Sequence, residues 1–147
     1  MKIKTLTLEN FMIFDSIDVE WSPNINVILG ENSTGKTTLL KAMYSLVKPY
    51  GRSDFLKCTQ MQQEDMIVGK MVGVFRPDEK KIGRMSSRRR GAPKNTKMKG
   101  STAEGDIIEV SFGSRRENHA DVSVRHSEKS KLCDPVYLPP KEMISAT

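Results

Sequence analysis

The fold of this chain is decided by the stretch Gly30-Glu31-Asn32-Ser33-Thr34-Gly35-Lys36-Thr37, which fits the phosphate-binding loop pattern G-x-x-x-x-G-K-[ST]. Its flanks match the context that this pattern requires. Residues 25–29 form a short apolar run that predicts a buried strand, and residues 37–47 carry apolar side chains at helical spacing. Strand, glycine loop and helix in this order predict a nucleotide site, against the alternative of a glycine turn with a solvated lysine.

The residue types of this loop suit a triphosphate. Its two glycines let the backbone turn sharply, so that the amides of residues 32–38 are expected to face the phosphates at the positive end of the helix. Lys36 is expected to contact the β- and γ-phosphates and to stabilise charge in the transition state, Thr37 to bind Mg²⁺, and Thr38 to reach the α-phosphate. The predicted nucleotide-binding residues are Gly30, Asn32, Ser33, Thr34, Gly35, Lys36, Thr37 and Thr38, with Lys36 as the catalytic residue and Thr37 as the metal ligand.

Composition sets outer limits on the protein. The 147 residues suffice for one modest domain; 37% are hydrophobic and 29% charged, which favours ordered ends and a polar middle. Cys58 and Cys133 show neither metal-ligand spacing nor a disulfide framework, so they are interpreted as reduced thiols in a cytoplasmic protein. Neither a leader nor a long apolar run is visible, so no membrane partner is expected. The net charge of +6 allows an anionic partner.

The sequence predicts an α/β protein that consists of four segments. Residues 1–50 hold the strands, the phosphate loop and its helix; two alternating strands, 2–9 and 15–21, are expected to pair antiparallel beside a central strand at 25–29, which makes a mixed sheet. Residues 51–78 are helical. Residues 79–104 are expected to be a basic, flexible loop, and residues 105–147 a hairpin and a final strand.

Proline, glycine and the pattern of apolar residues predict where the helices and strands begin and end. The loop helix is expected to stop at Lys48-Pro49-Tyr50-Gly51, where proline and glycine both forbid continuation, and a second helix is predicted over residues 60–75. The hairpin is predicted from residues 106–112 and 121–126, where its two histidines, His119 and His126, are interpreted as surface residues. A last short strand is predicted at residues 135–138, closed by Pro139 and Pro140.

The first half resembles the N-terminal lobe of ABC-, SMC- and RecF-like ATPase heads, and most nearly the RecF/OLD-like AAA group. The resemblance rests on four matches in order: Leu8-Glu9-Asn10-Phe11, Ile17-Asp18-Val19, the phosphate loop, and Leu39-Leu40-Lys41-Ala42. Tyr137-Leu138-Pro139-Pro140-Lys141-Glu142-Met143 resembles a segment that often follows an inserted helix and hairpin in that group. The resemblance implies that ATP and Mg²⁺ bind at residues 30–37, and that Asn10, Phe11 and Met12 lie near the adenine or ribose.

The same resemblance implies parts that the sequence does not supply. Such ATPases use an apolar strand ending in Asp-Glu and a Ser-Gly-Gly-type signature, and neither is found; residues 107–109 come nearest but lack paired carboxylates. The chain is therefore interpreted as an ATP-binding N-terminal portion without its catalytic half. Hydrolysis is expected only with a missing C-terminal lobe, or with a second subunit in an ATP-sandwich dimer.

Two other functions remain open from the residues. The basic stretch 80–99, and within it Arg88, Arg89 and Arg90, is compatible with binding the backbone of DNA or RNA; a solvated insertion is the alternative. A different P-loop enzyme, such as a small-molecule kinase or a GTPase, is the second. The chain has no Asn-Lys-x-Asp guanine-reading motif, and two strands precede the loop, which disfavours both of these enzymes.

Overall fold

The computed structural model describes residues 2–131 and 133–138. Two helices separate the first two strands from the last three. Short 3₁₀ turns follow the helices, at Phe55–Lys57, Asp78–Lys80 and Ile82–Met85. The strands and helices are β1 (Ile3–Phe11), β2 (Phe14–Glu20), α1 (Lys36–Tyr50), α2 (Gln60–Phe75), β3 (Asn95–Thr102), β4 (Ile107–Gly113) and β5 (Asp121–Arg125).

The five strands form one sheet in the order β2-β1-β3-β4-β5, and every neighbouring pair is antiparallel. One row of the register runs across all five strands and carries only apolar side chains, and its last four are at most 5% exposed. The row consists of Ile17, Leu8, Met98, Val110 and Val122. The helices cover this face and add Ala42, Leu46, Ile67 and Met71 to the same core.

The opposite face of the sheet is polar and open to solvent. The adjacent row of the register runs Asp18, Thr7, Lys99, Glu109 and Ser123. Thr7 donates a hydrogen bond to Asp18 over 2.6 Å, and the Lys99 ammonium lies 2.9 Å from the Glu109 carboxylate. One face of the sheet packs against the helices and the other faces water, which explains why apolar and polar residues alternate along these strands.

Several predictions of local structure are confirmed. The protein is α/β, and β1 and β2 pair antiparallel. Helix α2 spans the predicted residues 60–75 and begins with a capping box, in which the Thr59 hydroxyl accepts from the Gln62 amide and the Gln62 side chain accepts from the Thr59 amide. Strands β4 and β5 form the predicted hairpin, although the pair extends the N-terminal sheet through β3 and is not a separate layer.

The prediction of a flexible loop over residues 79–104 is wrong. Residues 78–85 form 3₁₀ turns with Ile82 and Met85 buried, and β3 lies at the centre of the sheet. Its inward positions are Thr96, Met98, Gly100 and Thr102, so a single large apolar side chain marks its buried face. Both threonine hydroxyls are hydrogen-bonded, which allows their burial. Because its buried residues are mostly small or polar, this strand lacks the alternation of apolar and polar residues by which a strand is predicted from sequence.

The strands predicted at residues 25–29 and 135–138 are not formed. Neither segment pairs with any strand of the described residues. Ile25, Val27 and Leu29 are 76% to 87% exposed, so the segment that should be central in the sheet lies uncovered. A β-strand forms where its backbone hydrogen-bonds to a neighbouring strand, and this segment has no such neighbour among the described residues. The parallel part of the expected mixed sheet depended on this segment, so the sheet described here is antiparallel throughout.

Helix α1 ends at Tyr50, within the predicted stop at residues 48–51. Pro49 lies in its last turn, and the helix pattern continues around it because the Gly51 amide still donates to the Val47 carbonyl over 2.9 Å. The segment Pro139–Pro140 and the match at residues 141–143 lie outside the described residues. Within the described part of the chain, no helix combines the length and hydropathy that crossing a membrane requires.

Candidate nucleotide-binding site

The phosphate loop opens directly into α1, and the start of that helix has no side-chain cap. Gly35 occupies the N-cap position with φ 96°, and its carbonyl accepts the first helical hydrogen bond from the Leu39 amide at 2.9 Å. The loop is held by the Thr34 hydroxyl, which donates to the Glu31 carbonyl over 2.8 Å. Because no side chain caps the helix, its first amides are available to an anion at the positive end of the helix dipole.

The Lys36 side chain folds back over the loop. Its ammonium group donates to the Glu31 carbonyl over 2.6 Å and to the Gly30 carbonyl. Two neutral carbonyls are weaker partners for an ammonium than phosphate oxygens, since hydrogen bonds between charged groups are roughly twice as strong. The Lys36 ammonium is therefore held against the loop, and phosphate oxygens can replace the two carbonyls as its hydrogen-bond acceptors.

The turn between β1 and β2 packs against the loop. A Cβ atom placed on Gly35 would lie 2.6 Å from both Ile13 Cδ1 and Phe14 Cζ, so only glycine fits there. The turn is itself anchored, because the Met12 amide donates to the Met85 carbonyl over 2.8 Å. Sequence reasoning missed Ile13 and Phe14 as neighbours of the site, and no signal in the sequence marks them.

Two of the residues that the family resemblance puts near the base are inaccessible. Asn10 is 2% exposed, and its side-chain amide donates to the carbonyls of Pro93 (2.5 Å) and Asn95 (3.1 Å). Phe11 is fully buried and contacts Phe75 edge to face, with 5.3 Å between ring centroids. Of the three, only Met12 is half-exposed and within reach of a ligand.

The remaining predicted site residues are distributed between the start of α1 and other parts of the fold. Thr37 and Thr38 occupy the first turn of α1, as expected of residues that contact a metal ion and the α-phosphate. Glu109 pairs with Lys99 on the open sheet face. His119 and His126 are both exposed, as predicted; His119 lies beside Glu64, and His126 contacts the Tyr50 hydroxyl. Within residues 2–131 and 133–138, no group of three or more His, Cys, Asp or Glu side chains could hold a metal ion.

The three candidate nucleic-acid arginines are not equivalent. Arg88 forms an ion pair with Asp78 at 3.0 Å, and Arg89 forms one with Asp15 on β2. Arg90 is exposed, and the described residues offer it no ion-pair partner. Arg116 is also exposed, and its carbonyl accepts from the Gly83 amide over 3.0 Å, which places it beside the 3₁₀ turn Ile82–Met85.

Comparison with known proteins finds relatives over part of the chain. A segment of 46 residues is 46% identical to the DNA replication and repair protein RecF of Staphylococcus haemolyticus and 50% identical to that of Halalkalibacterium halodurans. Each match covers 31% of this chain and 12% of the RecF chain, so the chain matches only a small part of these relatives' length.

The fold has a counterpart among solved structures. A chain from work on ATP-driven dimerisation and DNA-stimulated activation of SMC ATPases superposes with a TM-score of 0.56 at 12% identity. The superposition covers 86% of this chain and 71% of that chain, which shows a shared fold. The sequence model of the AAA ATPase domain family matches residues 1–128 of this chain. Because this match covers most of the chain and favours an ATPase over a small-molecule kinase, the chain belongs to the AAA ATPase domain family.

Proposed function

We propose that the chain binds MgATP at residues 30–37 and forms the phosphate-binding part of a RecF/SMC-like ATPase. The observation that carries this proposal is the uncapped start of α1 beneath the Lys36 ammonium, which together leave amide donors and a cation directed at one position. A triphosphate supplies charged acceptors for the helix amides, and stronger partners for the Lys36 ammonium than the two carbonyls it now contacts.

Each residue of the loop takes one role in this proposal. The amides of residues 32–38 bind phosphate oxygens, and Lys36 binds the β- and γ-phosphates and stabilises charge that develops during transfer. Thr38 contacts the α-phosphate. Mg²⁺ neutralises phosphate charge when it is bound, and the exposed Thr37 hydroxyl is the protein ligand that fits it, since this hard cation prefers oxygen and retains most of its waters.

Hydrolysis would depend on a further polypeptide. The proposal assigns the paired carboxylates and the signature segment to a C-terminal lobe or a second subunit, so the isolated chain would turn over ATP slowly or not at all. The exposed apolar segment 25–29, which leads straight into the loop, supports this, because it offers side chains and backbone that another strand would cover. The Cys58 thiol is not part of a disulfide within the described residues, which agrees with a cytoplasmic location.

Calorimetric titration with MgATP tests this function on the wild type, Lys36→Ala and Lys41→Ala, with an ATPase assay alongside. Lys41 lies on the same helix outside the loop, so Lys41→Ala is matched in charge. The expected result is at least a tenfold weaker affinity for Lys36→Ala only, without turnover in any protein. Equal affinities in all three proteins would overturn the binding proposal, and rapid Lys36-dependent turnover would overturn the requirement for a second polypeptide.

DNA is a second partner within this proposal. The RecF relatives act in DNA replication and repair by their names, and the exposed Arg90 and Arg116 are the cations proposed to bind DNA here. Arginine side chains bind phosphate backbones without reading sequence, and such binding weakens steeply with salt. Fluorescence anisotropy with duplex DNA should show salt-dependent binding that Arg90→Gln with Arg116→Gln weakens, whereas Lys2→Gln with Lys4→Gln should not. Equal loss in both double variants would indicate a general charge effect and remove this assignment.

A further inference from the structure

The turn that follows α2, residues 77–81, is strained and carries two acidic side chains, Asp78 and Glu79; we call it the acidic turn. Glu79 and Lys80 lie in succession in left-handed backbone conformations, with φ 55° and φ 57°. The Lys80 amide donates to the Pro77 carbonyl over 2.9 Å. Turns that need positive φ normally carry glycine or asparagine. Residues with larger side chains keep such conformations only where surrounding contacts hold them.

Ion pairs to neighbouring cations hold the acidic turn. The Glu79 carboxylate lies 2.8 Å from the Lys81 ammonium and 3.6 Å from the Arg84 guanidinium. The Asp78 carboxylate lies 3.0 Å from the Arg88 guanidinium. These side chains are 35% to 74% exposed, and ion pairs this exposed are weak and screened by salt. A stronger anion can therefore take Lys81, Arg84 and Arg88, which we call the masked cations.

The masked cations border the two arginines proposed to bind DNA. Arg84 directly follows Gly83, whose amide donates to the Arg116 carbonyl over 3.0 Å. Arg88 precedes Arg90 by two residues, and both are exposed. A DNA backbone that reaches Arg90 or Arg116 therefore next meets a masked cation, together with the carboxylate that neutralises it.

We propose that the acidic turn is an autoinhibitory element: its carboxylates occupy the masked cations in the free protein and are displaced when the phosphates of duplex DNA take these cations. The inference rests on the DNA binding proposed above and adds its regulation. A duplex offers a row of phosphates, whose many simultaneous contacts outcompete single carboxylates at low salt. Displacement removes the contacts that hold Glu79 and Lys80 in left-handed conformations, so the acidic turn relaxes as DNA binds.

Fluorescence anisotropy with labelled duplex DNA tests this proposal. The turn variant is Asp78→Asn with Glu79→Gln. The matched control is Glu20→Gln with Glu128→Gln, which removes two exposed carboxylates at the end of β2 and beyond β5. Removing the mask should tighten binding at low salt at least about fivefold in the turn variant, and less than about twofold in the control. The turn variant should also lose affinity more steeply with salt, because it contacts more phosphates.

Amide hydrogen exchange in the wild type reports whether DNA displaces the acidic turn. The Lys80 amide donates to the Pro77 carbonyl, and the Lys81 amide donates to the Asp78 carbonyl over 3.2 Å. Because DNA is expected to release the turn, saturating duplex DNA should speed exchange at these two amides at least about threefold. DNA that only covered the turn would slow their exchange, so slower or unchanged exchange overturns the displacement.

The outcomes distinguish the two proposals. If neither the wild type nor the turn variant binds DNA, the DNA partner fails and the inference falls with it. If both bind and the turn variant binds no tighter than the control, the DNA partner stands and the autoinhibitory role is wrong. Adding Arg84→Gln with Arg88→Gln to the turn variant should remove its gain in affinity, and a gain that survives also overturns this role. Unfolding midpoints of all variants confirm that each is folded.

Discussion

The Tyr50 hydroxyl donates a hydrogen bond of 2.7 Å to the carboxylate of Asp106 and thereby ties the last residue of α1 to the start of β4. Both residues are fully buried. The same carboxylate accepts from the Ser127 amide at 2.7 Å and from the Thr102 hydroxyl at 2.7 Å. The helix that begins at the phosphate loop is thus fixed to the sheet at its far end by a buried, hydrogen-bonded charge.

Removing the tyrosine hydroxyl should destabilise the protein. Tyr50→Phe deletes a donor to a buried carboxylate, and hydrogen bonds to charged groups contribute about 1.5–3 kcal/mol. The free energy of unfolding from urea titration should fall by that amount. Tyr44→Phe is the matched control, because Tyr44 is half-buried against the Tyr137 ring and its hydroxyl forms no hydrogen bond within the part of the chain that the structure describes. Equal losses in the two variants would contradict this role for the Tyr50 hydroxyl.

The same cluster predicts how stability depends on pH. Burial by itself would raise the pKa of Asp106, but the bonds from Ser127, Thr102 and Tyr50 outweigh it and hold the pKa well below the ordinary value of 3.8. A carboxyl whose pKa is lower in the folded protein stabilises it above the unfolded pKa, and this contribution is lost as pH falls. The free energy of unfolding should therefore decline below about pH 4 by up to about 1.4 kcal/mol per pH unit from this group.

The control for this pH dependence is Asp106→Asn. The amide cannot ionise, so the decline below about pH 4 should become shallower, although the variant is less stable at every pH because an acceptor is lost. Urea titrations between pH 2.5 and 7 measure both curves. An unchanged slope in Asp106→Asn would assign the acid sensitivity to other carboxylates.

Gly35→Ala should disrupt the phosphate loop. The added Cβ would meet Ile13 and Phe14 at 2.6 Å, and φ 96° is unfavourable for alanine. We expect a loss of about 1–3 kcal/mol in unfolding free energy and a MgATP affinity at least tenfold weaker, because the loop must move. Gly69→Ala is the control: it lies within α2 with nothing within 4 Å, so it should stabilise by up to about 1 kcal/mol and leave binding unchanged. Similar binding by both variants would rule out a fixed loop geometry.

Leu29 and Leu8 form a matched pair that reports whether residues 25–29 belong to the core. Leu29 is 87% exposed and Leu8 is fully buried in the row that crosses the sheet. Leu8→Ala should lower the unfolding free energy by about 2–5 kcal/mol, whereas Leu29→Ala should change it by less than about 0.5 kcal/mol. A large loss in Leu29→Ala would show that the segment is packed in the isolated chain.

The sequence by itself determined the phosphate loop, the α/β class, the β1–β2 pairing and both limits of α2. These features depend on interactions between near neighbours, such as the Thr59–Gln62 capping box and the alternation along a strand with one wet face. The family resemblance could likewise be read from the loop and its flanks, because those residues are contiguous.

Only the tertiary structure decided the rest, because it depends on residues that are distant in the chain. Strand β3 pairs on both sides, and its small or polar inward residues are buried only because partners such as Asn10 and Asp106 satisfy them. The apolar residues 25–29 have the composition of a core strand but no lateral neighbour in the described residues, so they lie exposed. The wall that Ile13 forms beside Gly35 arises from a turn 22 residues upstream, and no local pattern encodes such a contact.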